Sequence, residues 1–300
     1  MYVTPSAPQS IGGVIDDAIR LYRHSFLRCW LLGLLPALLF GAFMIALAIS
    51  APGYDVATGR LGGAGTLPTA NNFRTVLVSG DLAFIVLVCA FQGALTAYLA
   101  ALSRGDDSYS LGRALGTGFA RLPIFILSGL LFYLGLIGVM MIALLALLPF
   151  GLLLNHFHML GRTITGAGIA TAFGIAMVYV LGRLQLFIAA IYIDRKGPKS
   201  SLTTSWHLTK GHWWRAIAIL GAGMAIIMVL YMTVVLLNYL VGYIIHDRIY
   251  RVGIGTSLLV VCYSFIYPMG PALFVAMYND FKLRREGGDL AARVGALTSA

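Results

Sequence analysis

Residues 122–154 read LPIFILSGLLFYLGLIGVMMIALLALLPFGLLL, 33 consecutive positions without a charged side chain. A helix rises about 1.5 Å per residue and the bilayer's hydrocarbon layer is about 30 Å thick, so about 20 such residues cross it. Uncharged runs also cover Cys29 to Tyr54, Leu82 to Ser103, Ala216 to Ile245 and Val252 to Asn279, while Thr163 to Ile193 is interrupted only by Arg183. Six stretches are therefore long enough to span a membrane. The whole composition agrees: of 300 residues, 59% are hydrophobic and 11% charged, against about 25% charged in soluble domains, and mean hydropathy is +0.87. Because the run from Leu122 exceeds an upright span, its helix either tilts or ends near Pro149-Phe150-Gly151, and the break is the favoured expectation.

A cleaved signal peptide is not expected, since Asp16, Asp17, Arg20, Arg23 and Arg28 precede a first apolar run of full spanning length. The three cysteines, Cys29, Cys89 and Cys262, lie in apolar runs with no C-x-x-C spacing and read as packing residues. Of the 21 Lys and Arg, 15 fall in the N-terminal segment, the 104–121 and 194–215 loops and the tail. The loops at 55–81, 155–163 and 246–251 hold five. Positive charge stays on the cytoplasmic side, which puts both termini there, and Trp30, Trp206, Trp213 and Trp214 fall at the same interface. Insertion topology and anionic lipid thus account for the net charge of +10, and no nucleic-acid partner is expected.

The six spans also group into three similar units, about 10–104, 105–196 and 197–285, followed by a cytoplasmic tail over 286–300. Each reads as a cytoplasmic amphipathic helix, a span, an outer loop and a returning span, with starts near Ser10, Ser110 and Ser201. Ile11, Val14, Ile15, Ala18, Ile19, Tyr22 and Phe26 make the first apolar stripe, behind a Ser10 cap, and such a helix is expected to lie in the interface plane. Leu111, Leu115, Phe119 and Leu122 give a second, and Leu202, Trp206, Thr209 and Trp213 a third. The returning spans end alike, Tyr192-Ile193-Asp194-Arg195-Lys196 beside Tyr278-Asn279-Asp280-Phe281-Lys282, with a degenerate Arg104-Gly105-Asp106.

The block Ser200–Arg215, with Ser205-Trp206-His207-Leu208-Thr209-Lys210-Gly211-His212-Trp213-Trp214-Arg215 at its centre, and the block Tyr278–Leu290 resemble bacterial integral membrane proteins grouped with the membrane domain of glycerophosphoryl diester phosphodiesterases. The resemblance covers the chain in outline and is specific in those two blocks. Where that domain is attached to a phosphodiesterase, the chemistry belongs to a separate soluble barrel with paired carboxylates and a metal. This chain has one glutamate, Glu286, and no segment of about 250 residues for such a barrel, so the resemblance implies a membrane domain without that activity.

No phosphate-loop, zinc-protease or serine-hydrolase motif occurs, and Gly253-Ile254-Gly255 lacks a third glycine. His156-x-His158 offers two metal ligands without a third, and Asp16-Asp17 and Asp106-Asp107 read as solvated pairs. No cofactor, metal or catalytic residue is expected, and the chain reads as non-enzymatic. Arg183 stands apart. It lies 11 residues before Asp194, about 16 Å along a straight helix and so near mid-bilayer, where an arginine needs a partner. Gln92 and Gln185 are the candidate companions of an anion or lipid-headgroup site there, against a structural arginine bonded to carbonyls. Tyr267-Pro268-Met269-Gly270-Pro271 predicts a kink in the last span.

The sequence thus predicts a single all-α membrane domain over 1–300, multi-pass in a bacterial inner membrane. Its expected role is envelope or lipid organisation or membrane-protein partner binding; a transporter or lipid-handling protein with a site near Arg183 is the alternative. Membrane lipids, including anionic headgroups, are the expected partners, met by Trp30, Trp206, Lys210, Trp213, Trp214 and Arg215.

Overall fold

A computed structural model describes residues 5–50, 54–55, 60–61, 70–154, 158–245 and 248–287. The described chain is helical apart from one antiparallel pairing of β1 (Tyr54–Asp55) with β2 (Arg60–Leu61). In order come α1 (Ile11–His24), α2 (Phe26–Ser50), α3 (Ala70–Ser103), α4 (Leu111–Ala120), α5 (Leu122–Leu154), α6 (His158–Leu184), α7 (Phe187–Ile193), α8 (Pro198–Leu208), α9 (Trp213–Ile244), α10 (Arg248–Ile266) and α11 (Met269–Glu286). Six helical stretches are long and apolar enough to cross a membrane, as expected of a multi-pass membrane protein.

The helix starts follow from capping chemistry. Ser10 Oγ accepts from the Gly13 N–H at 3.0 Å and Ser110 Oγ from the Arg113 N–H at 3.3 Å, each satisfying a donor the first turn leaves open. The third short helix starts earlier than Ser201, at Pro198 behind Gly197, because proline in the first turn lacks only a donor that had no partner. At Pro149 the expected break does not occur, and α5 runs through to Leu154. A spanning helix tolerates proline where other groups take up the freed carbonyl. Two returning spans break instead, at Gln185-Leu186 between α6 and α7 and at Tyr267-Pro268 between α10 and α11.

The chain divides into two compact units, Ile15–Leu122 with Ala222–Ala276, and Pro5–Val14 with Pro123–Gly221 and Met277–Ala300. In the first unit α2 packs on α10 and α3, and α4 packs on α3. Two-thirds of the 84–103 stretch, 67%, is buried, and Gly118 lets α4 close in on it: a Cβ there would stand 2.5 Å from the Ala90 carbonyl oxygen. Gly33 does the same between α2 and α10, where a Cβ would stand 2.8 Å from the Ser264 carbonyl oxygen. At the Pro268 break, the Tyr22 hydroxyl donates to the freed Phe265 carbonyl at 2.8 Å. Trp30 Nε1 donates to Ser264 Oγ at 2.9 Å and its ring stacks on Phe265. Burial, with a smaller effect of the Cys29 thiol, pushes the Tyr22 hydroxyl up to about 12.

The apolar stripe expected for α1 is only partly the buried one. Val14 and Ala18 are covered, but so are Asp17 and Leu21, while Ile11, Ile19 and Phe26 are exposed. Asp17, expected to be solvated, is buried beside Arg20 at 3.4 Å. In the second unit α8 packs on α7 and α6, and Phe187 stacks between Phe125 and Phe132. Only 12% of the 122–146 stretch is buried, so nearly its whole circumference is apolar and exposed, as suits lipid contact.

Candidate functional site around Arg183

The break in the second unit is built by α8. A carbonyl at Arg183 would normally bond the amide four residues on, but α6 stops at Leu184. Ser205 Oγ donates to the Arg183 carbonyl at 2.9 Å and Thr209 Oγ1 at 3.1 Å, while Ser205 Oγ also accepts from the Leu186 N–H at 3.1 Å. Both hydroxyl residues are fully buried. Ser201, one turn earlier on the same face, lies 3.3 Å from Ser128 Oγ on α5. Irregular backbone at membrane depth needs such substitutes, and this hydroxyl stripe supplies them.

The Arg183 side chain lies in an aromatic corner. Its Cζ lies 4.0 Å from the centre of the Trp206 ring and 6.0 Å from that of Tyr179. Tyr179 meets Trp206 edge-on at 6.0 Å and Trp213 at 5.4 Å, and Trp213 stacks on Trp214 at 4.4 Å. Arg183 therefore stands at the level of the tryptophan cluster where α9 begins. It is 5% exposed. Among the described residues no acceptor takes a hydrogen bond from its guanidinium, and Nε is buried without a partner.

The carboxylates of this unit with described side chains are engaged elsewhere. Asp280, almost fully buried, accepts from Arg215 at 3.0 Å, from Arg284 at 3.1 Å and from the Gln9 N–H at 2.8 Å; both arginines also donate to the Gln9 carbonyl. Asp194 accepts from Lys282 at 2.8 Å and from the Tyr278 hydroxyl at 2.7 Å. Burial would raise the Asp194 carboxyl, but the Lys282 and Tyr278 hydrogen bonds hold it below the usual carboxylate range. The two similar span ends thus meet, one supplying the acid and the other the base.

Gln185 does not share the surroundings of Arg183. Its amide nitrogen donates to the Ala216 carbonyl at 3.3 Å and approaches Met277 Sδ at 3.8 Å, and its Oε1 is buried without a partner among the described residues. Gln92 belongs to the first unit, where its carbonyl accepts from Thr96 Oγ1 at 2.8 Å. Of the expected interfacial residues, Trp206, Trp214 and Lys210 are exposed, Trp213 and Trp30 half-buried, and Arg215 is held by Asp280 and Gln9. The residues that sequence reasoning missed are Tyr179, Ser205 and Thr209. Ser201, Ser205 and Thr209 at spacings of four were the available signal.

The chain matches no family model, no curated protein and no solved structure. Function rests on the residues themselves. No group of three His, Cys, Asp or Glu able to hold a metal occurs among the described residues. His156 and the side chain of His158 lie outside them.

Proposed function

We propose that this chain is a non-enzymatic, multi-pass protein of a bacterial cytoplasmic membrane that handles lipid by holding an anionic headgroup at Arg183. One observation carries the reading: a buried guanidinium has no acceptor among the described residues, while Asp194 and Asp280 are spent on Lys282, Arg215 and Arg284. A guanidinium offers five N–H donors and stays charged, and an arginine within a span needs a partner. With none supplied by its described neighbours, an anionic headgroup is the counter-ion this reading assigns to it.

The order short helix, long helix, returning helix occurs three times, from α1, α4 and α8, and supports a reading as three repeated units. The Lys/Arg count supports cytoplasmic termini. Kinship with the membrane domain of glycerophosphoryl diester phosphodiesterases rests on the 200–215 and 278–290 blocks.

Native mass spectrometry of the full chain released gently from its own membrane, beside Arg183→Gln, tests the reading. A stoichiometric anionic lipid retained by the native protein and lost from the folded variant is expected. A bare native chain, or retention unchanged by the substitution, would make Arg183 structural.

A further inference from the structure

We infer that Arg195 is an anion-binding residue, kept for its charge at a backbone position suited to glycine, and that its ligand is the phosphate of an anionic lipid at the cytoplasmic surface. The inference uses only the membrane placement proposed above and does not depend on Arg183. Among the described residues four have positive φ, and each follows a helix: Gly105 after α3 at 82°, Gly211 after α8 at 84°, Gly287 after α11 at 65° and Arg195 after α7 at 54°. A left-handed residue just past a helix end turns the next amide back onto the open carbonyls. Thus the Asp106 N–H reaches the Ala101 carbonyl at 3.1 Å and the Lys196 N–H the Ala190 carbonyl at 3.3 Å. Glycine adopts that conformation freely, whereas a Cβ crowds the following carbonyl oxygen. Arg195 alone of the four carries that penalty.

No contact of its side chain repays it. Arg195 is exposed, and its guanidinium makes no hydrogen bond or ion pair with a described residue. The adjacent acid, Asp194, is held by Lys282 at 2.8 Å and by the Tyr278 hydroxyl at 2.7 Å. Lys196 and Lys199 are exposed too and form no ion pair, so three unpaired cations lie within five residues. A strained residue without a structural partner points to function. Its depth points to the ligand. The spanning stretch 170–193 ends at Ile193, which leaves Arg195 two residues beyond it, at the level of the headgroup phosphates. A cation beside an anionic leaflet gains about fivefold in association, and the planar fork of arginine takes two phosphate oxygens at once.

The test uses the full chain, purified in detergent and delipidated, with bound phosphatidylglycerol counted by native mass spectrometry and unfolding followed by heating. Three variants separate charge from strain: Arg195→Gly removes both, Arg195→Gln removes only the charge, and Arg195→Lys keeps both. Arg195→Gln is expected to weaken binding of one phosphatidylglycerol about fivefold at an unchanged melting temperature. Arg195→Gly is expected to show the same loss while melting about 2–4 °C higher. Arg195→Lys should melt as the native protein does and lose less lipid than either. Excess inorganic phosphate is expected to leave the lipid in place. Native-like lipid binding by both neutral variants would overturn the inference, and so would Arg195→Gly melting no higher than the native protein, since the position would then carry no penalty. Displacement by phosphate would overturn the lipid source, and displacement by a polyglutamate peptide would replace it with an acidic protein segment. Arg183→Gln is expected to keep the Arg195-dependent lipid, so the two readings fail separately.

Discussion

The guanidinium carbon of Arg183 lies 4.0 Å from the centre of the Trp206 ring, a stack between the last turn of α6 and the last turn of α8. Such a contact, largely out of water, is worth about 1–2 kcal/mol. Trp206→Leu is expected to lower the unfolding free energy in detergent by about that amount and to weaken lipid retention. Trp206→Phe, with a smaller and less electron-rich face, should fall between. If Trp206→Leu unfolds as the native protein does, the stack contributes nothing.

Ser205 and Thr209 share the Arg183 carbonyl, so their contributions are not independent. Ser205→Ala takes a donor from that carbonyl and an acceptor from the Leu186 N–H, both buried, and is expected to cost about 1–3 kcal/mol. Thr209→Val leaves the carbonyl with Ser205 and should cost less. The double variant should cost more than the sum, because only then is the carbonyl orphaned. Denaturant titrations of the three proteins measure the coupling, and simple additivity would show that the hydroxyls do not share the acceptor.

Six spans were legible in the sequence because hydrocarbon thickness sets a length that few soluble helices meet with so little charge. The α10 to α11 break was legible at Pro268 for a local reason, the missing N–H. Gln185-Leu186 contains neither proline nor glycine, and its break is bridged by two hydroxyls some 20 residues on, Ser205 in α8 and Thr209 just past its end. Pro149 shows the converse, a local breaker overridden. Periodicity also showed that α1 and α8 are helices without showing which side is covered. In water an apolar stripe must face protein, but beside lipid it faces either way, so α1 exposes Ile19 and buries Asp17, and α8 buries Ser201 and Ser205 while exposing Trp206. Arg183 could be singled out because a charge in a span demands a partner; its aromatic corner could not, since Tyr179, Trp206 and Trp213 come from three helices.

Gly118 and Gly116 lie two residues apart on α4 with opposite surroundings. A Cβ on Gly118 would stand 2.5 Å from the Ala90 carbonyl oxygen and 2.8 Å from the Ala94 nitrogen, backbone atoms that cannot swing aside, whereas nothing lies within 4 Å of one on Gly116. Gly118→Ala is expected to destabilise by about 1–3 kcal/mol through overpacking. Gly116→Ala should leave stability unchanged or raise it by up to about 1 kcal/mol, since alanine is the better helix former. Equal melting temperatures for the two variants would mean that α4 does not press on α3 at Gly118.

Asp194 gives the chain an acid sensitivity of definite sign. Burial works against its charge, but the Lys282 ammonium and the Tyr278 hydroxyl outweigh it and hold the carboxyl below the unfolded value of about 3.9. Because the native pKa is the lower one, the unfolded chain binds more protons between the two values. The stabilisation is present in full above about pH 5 and drains away as pH falls through the unfolded value toward the native one. Lys282 is partly exposed, so the effect is modest and weakens with salt. Unfolding in detergent followed downward from neutral pH should show this loss in the native protein, and Asp194→Asn should start less stable and lose less over the same acid range. The amide can still accept from Tyr278 but no longer titrates. An Asp194→Asn variant with the full native acid slope would place the responsible proton elsewhere.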